Sequence, residues 1–414
     1  MKTKFITIAA ILAAAAALVA CNKDSERGIA PSEVKGISFG TYAGRSAITR
    51  AGTPGNMDNT LLQTTGFGVF AYHHDASAGE TGFSAISLPN FMYNQEVTYS
   101  AGAWSYTPVR YWPNEHGSAA ASDLVDKVSF FAYAPYVAAG SGTEGITALS
   151  ANNAAGDPKV TYKVAARPED NVDLVWAVTP EVTSWVTANG GTVSIEKEMP
   201  YLNLIKPKTN GTINFLFKHA TAKLGMNVVG VFDEGSMDSN TKITIASVTV
   251  KGQFARQGVL NLNNEEAAVA KWESKVYDDT ENNLSTIVVN STNNLRAALV
   301  DGGDVAFASQ PAGVTASSQN LLADDVSFNL IPGDIREVVI DYYVTTNDAK
   351  LAAGYSRVQN TIRHTFATPL AIDNNKSYTL NLQLGMTSVK VSATVDEWEP
   401  TSPVVIDLPA NVGA

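Results

Sequence analysis

The chain has a single cysteine, Cys21, in 414 residues. It cannot close a disulfide within itself, and once Cys21 is modified no thiol nucleophile remains. Charge is also sparse: 17% of residues are charged and the formal net charge is −11. No basic stripe exists to neutralise phosphates, which excludes nucleic acid as a partner. Histidine is scarce. The doublet His73-His74 lies on a strand-like run, where neighbours face opposite ways and cannot chelate one metal from one face; a surface or loop role is expected. His219 lies in an apolar strand pattern and is expected to be half-buried and satisfied. The polar turn from Asp233 to Asp238 lacks EF-hand spacing. There is no G-x-S-x-G elbow, no H-E-x-x-H pair and no phosphate-binding glycine loop, so no catalytic residue, metal or cofactor is expected. After the first twenty residues no apolar run is long enough to cross a membrane. Helical periodicity is almost missing, with Glu265–Lys275 the best short helix.

The N-terminus carries a clear pattern. Lys2 and Lys4 precede an apolar run from Phe5 to Leu18, and Leu18-Val19-Ala20-Cys21 follows. Residues 1–20 read as a secretion signal. The cysteine directly after the small residue resembles the lipobox of bacterial lipoproteins, in which the thiol is acylated; the alternative is an ordinary signal with a chance cysteine. Each buried lipid CH₂ contributes roughly 0.8 kcal/mol, so two or more chains anchor stably and release requires a cut in the polypeptide. Val34–Tyr42 alternates Ile37, Phe39 and Thr41, as a half-buried strand does. Arg45 and Arg50 follow among small residues, before Ala51-Gly52-Thr53-Pro54-Gly55 breaks regular structure. Such a segment is where proteases cut; it also reads as a linker with incidental arginines.

From Gly66 onward strand patterns dominate. Gly66–His73, the hairpin arms Glu96–Tyr99 and Trp104–Thr107 around a four-residue loop, and Lys127–Ala134, apolar on both faces, come first. Thr212–Ala220, Ala222–Val231, Thr241–Lys251 with a bulge at Ala246-Ser247, and a series on to Val395 follow. Many short strands between turn signals mean an all-β chain of antiparallel sandwiches. The expected division is a leader over 21–50, one sandwich over 51–205, another over 206–400 and a tail over 401–414. Tyr93, Tyr99, Trp104, Tyr106, Tyr111 and Trp112 form an aromatic zone, readable as a glycan platform or as hairpin and core packing.

Several segments in order resemble the fimbrillin family, the subunits of type V pili. They are the lipobox at Cys21, Thr49-Arg50-Ala51, Gly66–Tyr72, Tyr111-Trp112-Pro113 before Val128–Pro135, and Asp173–Ala177. Phe215–Ala220 before Lys223-Leu224, and Tyr378-Thr379-Leu380 before Val395-Asp396-Glu397-Trp398, complete the set. The resemblance implies two tandem transthyretin-like β-sandwich domains and export as a lipoprotein to the outer membrane. It also implies removal of the leader after an arginine by a trypsin-like or gingipain-like protease. Arg50, before Ala51, is the matching position, with Arg45 the alternative. Assembly in that family is by strand exchange with other copies and other fimbrial subunits. Here Pro403 and Pro409 bracket alternating Val404, Ile406 and Leu408, the pattern of a detachable donor strand, which could instead pair within its own sheet. The expected function is a stalk-type pilin supporting adhesion, with a host glycan or protein as receptor. The rival readings are a glycan-binding surface lipoprotein, or an anchor or tip subunit.

Overall fold

A computed structural model describes residues 36–43, 56–113, 125–138, 142–180, 183–187, 190–208, 212–231, 237–267, 269–301, 303, 305–323, 326–385 and 389–398. The first half supplies β1 (Ser38–Ala43), helix α1 (Asn59–Thr65), β2 (Phe67–His74), β3 (Met92–Ser100), β4 (Ala103–Ser105), β5 (Lys127–Ala134) and β6 (Gly145–Leu149). There follow β7 (Lys159–Lys163), β8 (Val175–Val178), β9 (Thr183–Val186), β10 (Thr192–Ile195), β11 (Tyr201–Ile205) and β12 (Thr212–His219). The second half supplies β13 (Ala222–Gly230), β14 (Thr241–Gly252), β15 (Gln257–Asn261), β16 (Lys271–Val276), β17 (Ser285–Asn290) and β18 (Gln319–Asn320). It closes with β19 (Phe328–Leu330), β20 (Gly333–Asn347), β21 (Tyr355–Ile372), β22 (Lys376–Leu384) and β23 (Val389–Glu397).

The fold is all-β, two tandem sandwiches. The first sheet runs β1-β12-β8-β5-β2-β3-β4, with β11 against β5. Both of its faces are covered, which is why β2 and β5 carry apolar residues on both sides. One face, through Phe70, Tyr72, Tyr133 and Trp176, packs on the sheet β16-β15-β7-β6. The other, through Phe67, Phe130, Phe215 and Phe217, makes a core with Ile37, Phe39 and Leu62 of α1. The second sandwich packs β18-β13-β22-β23, with β19 on β13, against β17-β14-β20-β21. Leu224, Val248, Ile340 and Leu380 are in its core. Among the described strands, pairing is antiparallel except between β1 and β12 and between β13 and β22.

Several local expectations change. The division expected near residue 205 falls inside the first sandwich: β12 completes its first sheet, and the chain passes to the second core between Ala220 and Ala222. The hairpin β15–β16 then returns to cover the first core. Residues 271–275 of the expected helix lie in β16, because tertiary contacts override helix propensity there. Trp272 packs over Gly258 and donates its indole N–H to the Ala220 carbonyl at 2.9 Å. The hairpin loop after β3 is two residues, Ala101 and Gly102, both at positive φ as a tight primed turn requires. The β14 irregularity lies where expected, between Ile245 and Ser247. Helix α1 was not legible by periodicity at two turns. It starts at an N-cap, the Asp58 carboxylate accepting from the Leu61 N–H at 2.7 Å, and ends at Gly66.

One close approach fixes the second sandwich. A Cβ at Gly252 would lie 1.9 Å from the backbone oxygen of Asp334 on the paired strand, which cannot step aside. Gly252→Val is expected to destabilise by about 1–3 kcal/mol, read as a lower urea midpoint; an unchanged midpoint would contradict this packing.

Candidate assembly groove

Strand β1 occupies a seat built by residues distant in sequence. It runs parallel to β12, with Ser38 opposite Thr212 and Ala43 opposite Phe217. The alternation read from the sequence is what the strand uses: Ile37 is 2% and Phe39 5% exposed, while Ser38 faces solvent. Gly40 lets the two strands close, since a Cβ there would lie 2.2 Å from Asn214 Oδ1. At its other flank β1 meets the segment that follows β4. The Ile37 N–H donates to the Arg110 carbonyl at 2.8 Å, and the Tyr106 hydroxyl donates to the Ile37 carbonyl at 2.8 Å. Thus β1 pairs with β12 along its length as the edge strand of the first sheet, and Ile37, just before it, is held by the residues after β4.

Beneath it lies an aromatic floor. The Phe39 ring stacks on Phe215 at 5.7 Å and meets Tyr106 at 5.3 Å, with Phe67 and Phe130 each at 6.2 Å. Burying Ile37 and Phe39 stabilises the seat by roughly 1.5–3 kcal/mol each, to which the parallel ladder adds. Taking β1 away would bare these four rings and leave the backbone of β12 unpaired on that side, the surface that natural sheets avoid exposing.

The other candidate residues distribute as follows. Cys21, Arg45, Arg50 and Ala51, and Val404, Ile406 and Leu408 of the tail, lie outside the described residues. So do Asp233–Ser236 of the polar turn. The aromatic zone does not form one platform. Trp104 packs on Phe67 at 4.9 Å and on Tyr99 at 5.1 Å, Trp112 meets Phe130 at 5.9 Å, and the Tyr93 hydroxyl donates to the Ser150 carbonyl. Tyr111 alone among them is about half exposed, at 51%. His73 and His74 do face opposite ways, but neither is a loop residue. Both end β2; His73 Nε2 lies 3.5 Å from Asp126 Oδ2, and His74 is buried beneath the Phe83 loop. Burial pushes the His74 imidazole below its ordinary range, favouring the neutral form. A cleft of about 590 Å³ opens there, lined by His73, His74, Glu80, Phe83 and Asn203. His219 is fully rather than half-buried, with Nδ1 2.7 Å from Asp173 Oδ2. Sequence reasoning missed Asp173 as its partner because 46 residues separate them in the chain, with no local pattern to join them. Among the described residues no group of three or more His, Cys, Asp or Glu could hold a metal.

Comparison with known proteins bears on the same region. A profile of the family described as Fimbrillin-like matches residues 49–398. The fimbrium subunit Fim1C of Phocaeicola vulgatus is 27% identical over 289 residues, covering 66% of this chain and 65% of that subunit. The match therefore spans just under two thirds of that relative's length. A crystal structure of a fimbrial protein from Bacteroides vulgatus shares the fold with a TM-score of 0.58 at 20% identity, covering 88% of this chain and 99% of that one.

Two outcomes test the seat. Phe39→Ala should cost about 3–5 kcal/mol at this site and speed amide exchange over 36–43; unaltered exchange would contradict the packing. The second is a pH dependence. Burial raises the Tyr106 phenol above its ordinary 10.0. A raised folded value means the contribution is fully present below pH 10.0 and lost as pH rises through the shifted value. Protection over 36–43, corrected for the base-catalysed intrinsic rate, should fall in that alkaline window, and Tyr106→Phe should remove this fall.

Proposed function

Because the chain belongs to the fimbrillin-like family, a family of fimbrial subunits of the cell surface, we propose that it is a stalk-type subunit whose β1 is a removable leader strand. In this reading Cys21 is acylated and carries the precursor to the outer membrane. A trypsin-like or gingipain-like protease then cuts after Arg50, with Arg45 as the alternative. The fragment bearing the lipid and β1 is left behind. The tail of another copy, through Val404, Ile406 and Leu408, fills the seat, and repetition builds a fimbrium that supports adhesion.

The observation that carries the reading is the connectivity of β1. It is an edge strand, paired parallel to a partner 174 residues away, as Ser38 opposite Thr212 shows. Its only covalent link to the rest of the fold is residues 44–56, and both candidate arginines lie on that link. A single cut at either one therefore turns an integral strand into a bound peptide without touching another strand. Three alternating apolar residues in the tail can replace the burial that two provide in the leader, at roughly 1.5–3 kcal/mol each, and backbone pairing with β12 would be restored. A stalk subunit must be both released and able to donate, whereas an anchor would keep its lipid.

Mass spectrometry of protein sheared from cells tests this. The expected chain begins at Ala51 and runs in detergent-resistant multimers, and removal of 401–414 leaves folded monomers. An intact lipidated Cys21 on a monomer would contradict the stalk assignment and favour an anchor or a glycan-binding lipoprotein.

A further inference from the structure

The far end of β12 holds a cluster that the groove does not use. Phe215, Phe217 and His219 follow each other at every second position and so lie on one face of the strand. Phe215 stacks on Phe39 of the leader, and Phe217 lies 6.2 Å beyond it. His219 ends the row. Its ring stacks on Trp398, with centroids 3.8 Å apart and planes within 4°. Its Nδ1 meets Asp173 Oδ2 at 2.7 Å, and that same oxygen accepts the Met57 N–H at 2.8 Å. The cluster is pinned from the second sandwich as well. The His219 N–H donates to Asn375 Oδ1 at 3.3 Å, and the Trp398 N–H donates to the Asn375 carbonyl at 3.2 Å.

Three segments of different fate thus meet at one buried His219–Asp173 contact. Met57 follows the processing region by a few residues, β12 is the strand beside the leader, and Trp398 is the last described residue before the tail. We propose that His219, Asp173 and Trp398 form a clasp that holds the root of the tail against β12 while the leader is seated, and that loss of the leader loosens it. The physical link is β12 itself. With β1 in place the strand is paired along 212–217 by β1 and along 216–219 by β8. Without β1 its first half has no ladder partner on the leader side and Phe215 loses its stacked ring. His219, held by β8, Asp173 and Asn375, then sits at the end of a strand whose first half has lost its support, while the flat stack on Trp398 tolerates little displacement. The precursor would so be kept from offering its tail before its own groove is open. His219 and Asp173 are positioning residues in this account: they touch the root of the tail and not the groove. The inference rests on the reading of 401–414 as the exchanging strand, but its readout does not.

Hydrogen exchange over 389–398 tests it, in a precursor made uncleavable by Arg45→Ala and Arg50→Ala. His219→Ala should speed exchange there about tenfold, to the level of the cleaved wild-type protein. Trp398→Leu, at a half-exposed position that leaves the buried pair intact, should do the same and serves if His219→Ala fails to fold. Asp173→Asn combined with His219→Phe keeps a stacked ring without a charge and should stay slow. Exchange over 389–398 that is equal in precursor and cleaved wild-type protein would overturn the clasp, as would unchanged exchange in Trp398→Leu. Polymerisation, scored separately on the cleaved proteins, reports on the tail as donor: loss of assembly with an intact exchange difference leaves the clasp standing and the donor reading wrong.

Discussion

The parallel contact between β1 and β12 is the interaction on which the rest of the first sandwich depends. A strand joined to its neighbour by a tight turn is held twice, through the ladder and through the chain. β1 has no such tie to β12, because 174 residues separate Ser38 from Thr212. It nevertheless supplies the ring that completes the floor of Phe67, Tyr106, Phe130 and Phe215, and Ile37, just before it, accepts from the Tyr106 hydroxyl. Under the proposed function this is the position that is vacated and then refilled by a strand with the same alternation.

In the proposed exchange the energies on the two sides are close, since leader and tail bury similar apolar side chains against the same floor. Direction comes from covalent connection. While residue 43 is joined to residue 57 by a link of few residues, β1 faces its seat at an effective concentration that a separate chain cannot match, of order mM for a short linker. A cut removes that advantage without altering one contact in the groove. The second sandwich packs around Leu224, Val248, Ile340 and Leu380, a core to which β1 contributes no residue.

Much of this was legible before the structure. Alternation alone marked Ile37 and Phe39 as the buried side of a strand, the two-sided apolar run at Lys127–Ala134 as a central strand, and Ala246 as an interruption in β14. These are local patterns with a period of two, and they survive whatever surrounds them. What was not legible depends on long-range pairing. Nothing near Phe39 says that its partner is Phe215 or that the pairing is parallel. Nothing near Glu265–Lys275 says that Trp272 will be drawn over Gly258, so that a segment of good helix formers contributes a strand. The histidines show the same limit: His74 and His219 were expected at the surface or half-buried, and tertiary cover by the Phe83 loop and by Trp398 buries them. The seat of β1 was therefore half readable, its occupant from the sequence and its walls only from the fold.

Crosslinking from within the proposed donor strand tests the central claim most directly. A photoreactive phenylalanine analogue at Ile406, in cleaved protein mixed with an isotope-labelled copy, can be mapped by mass spectrometry. The account predicts crosslinks from Ile406 of one copy to Phe67, Tyr106, Phe130 or Phe215 of another. Crosslinks confined to the same chain, or to residues away from that floor, would contradict it.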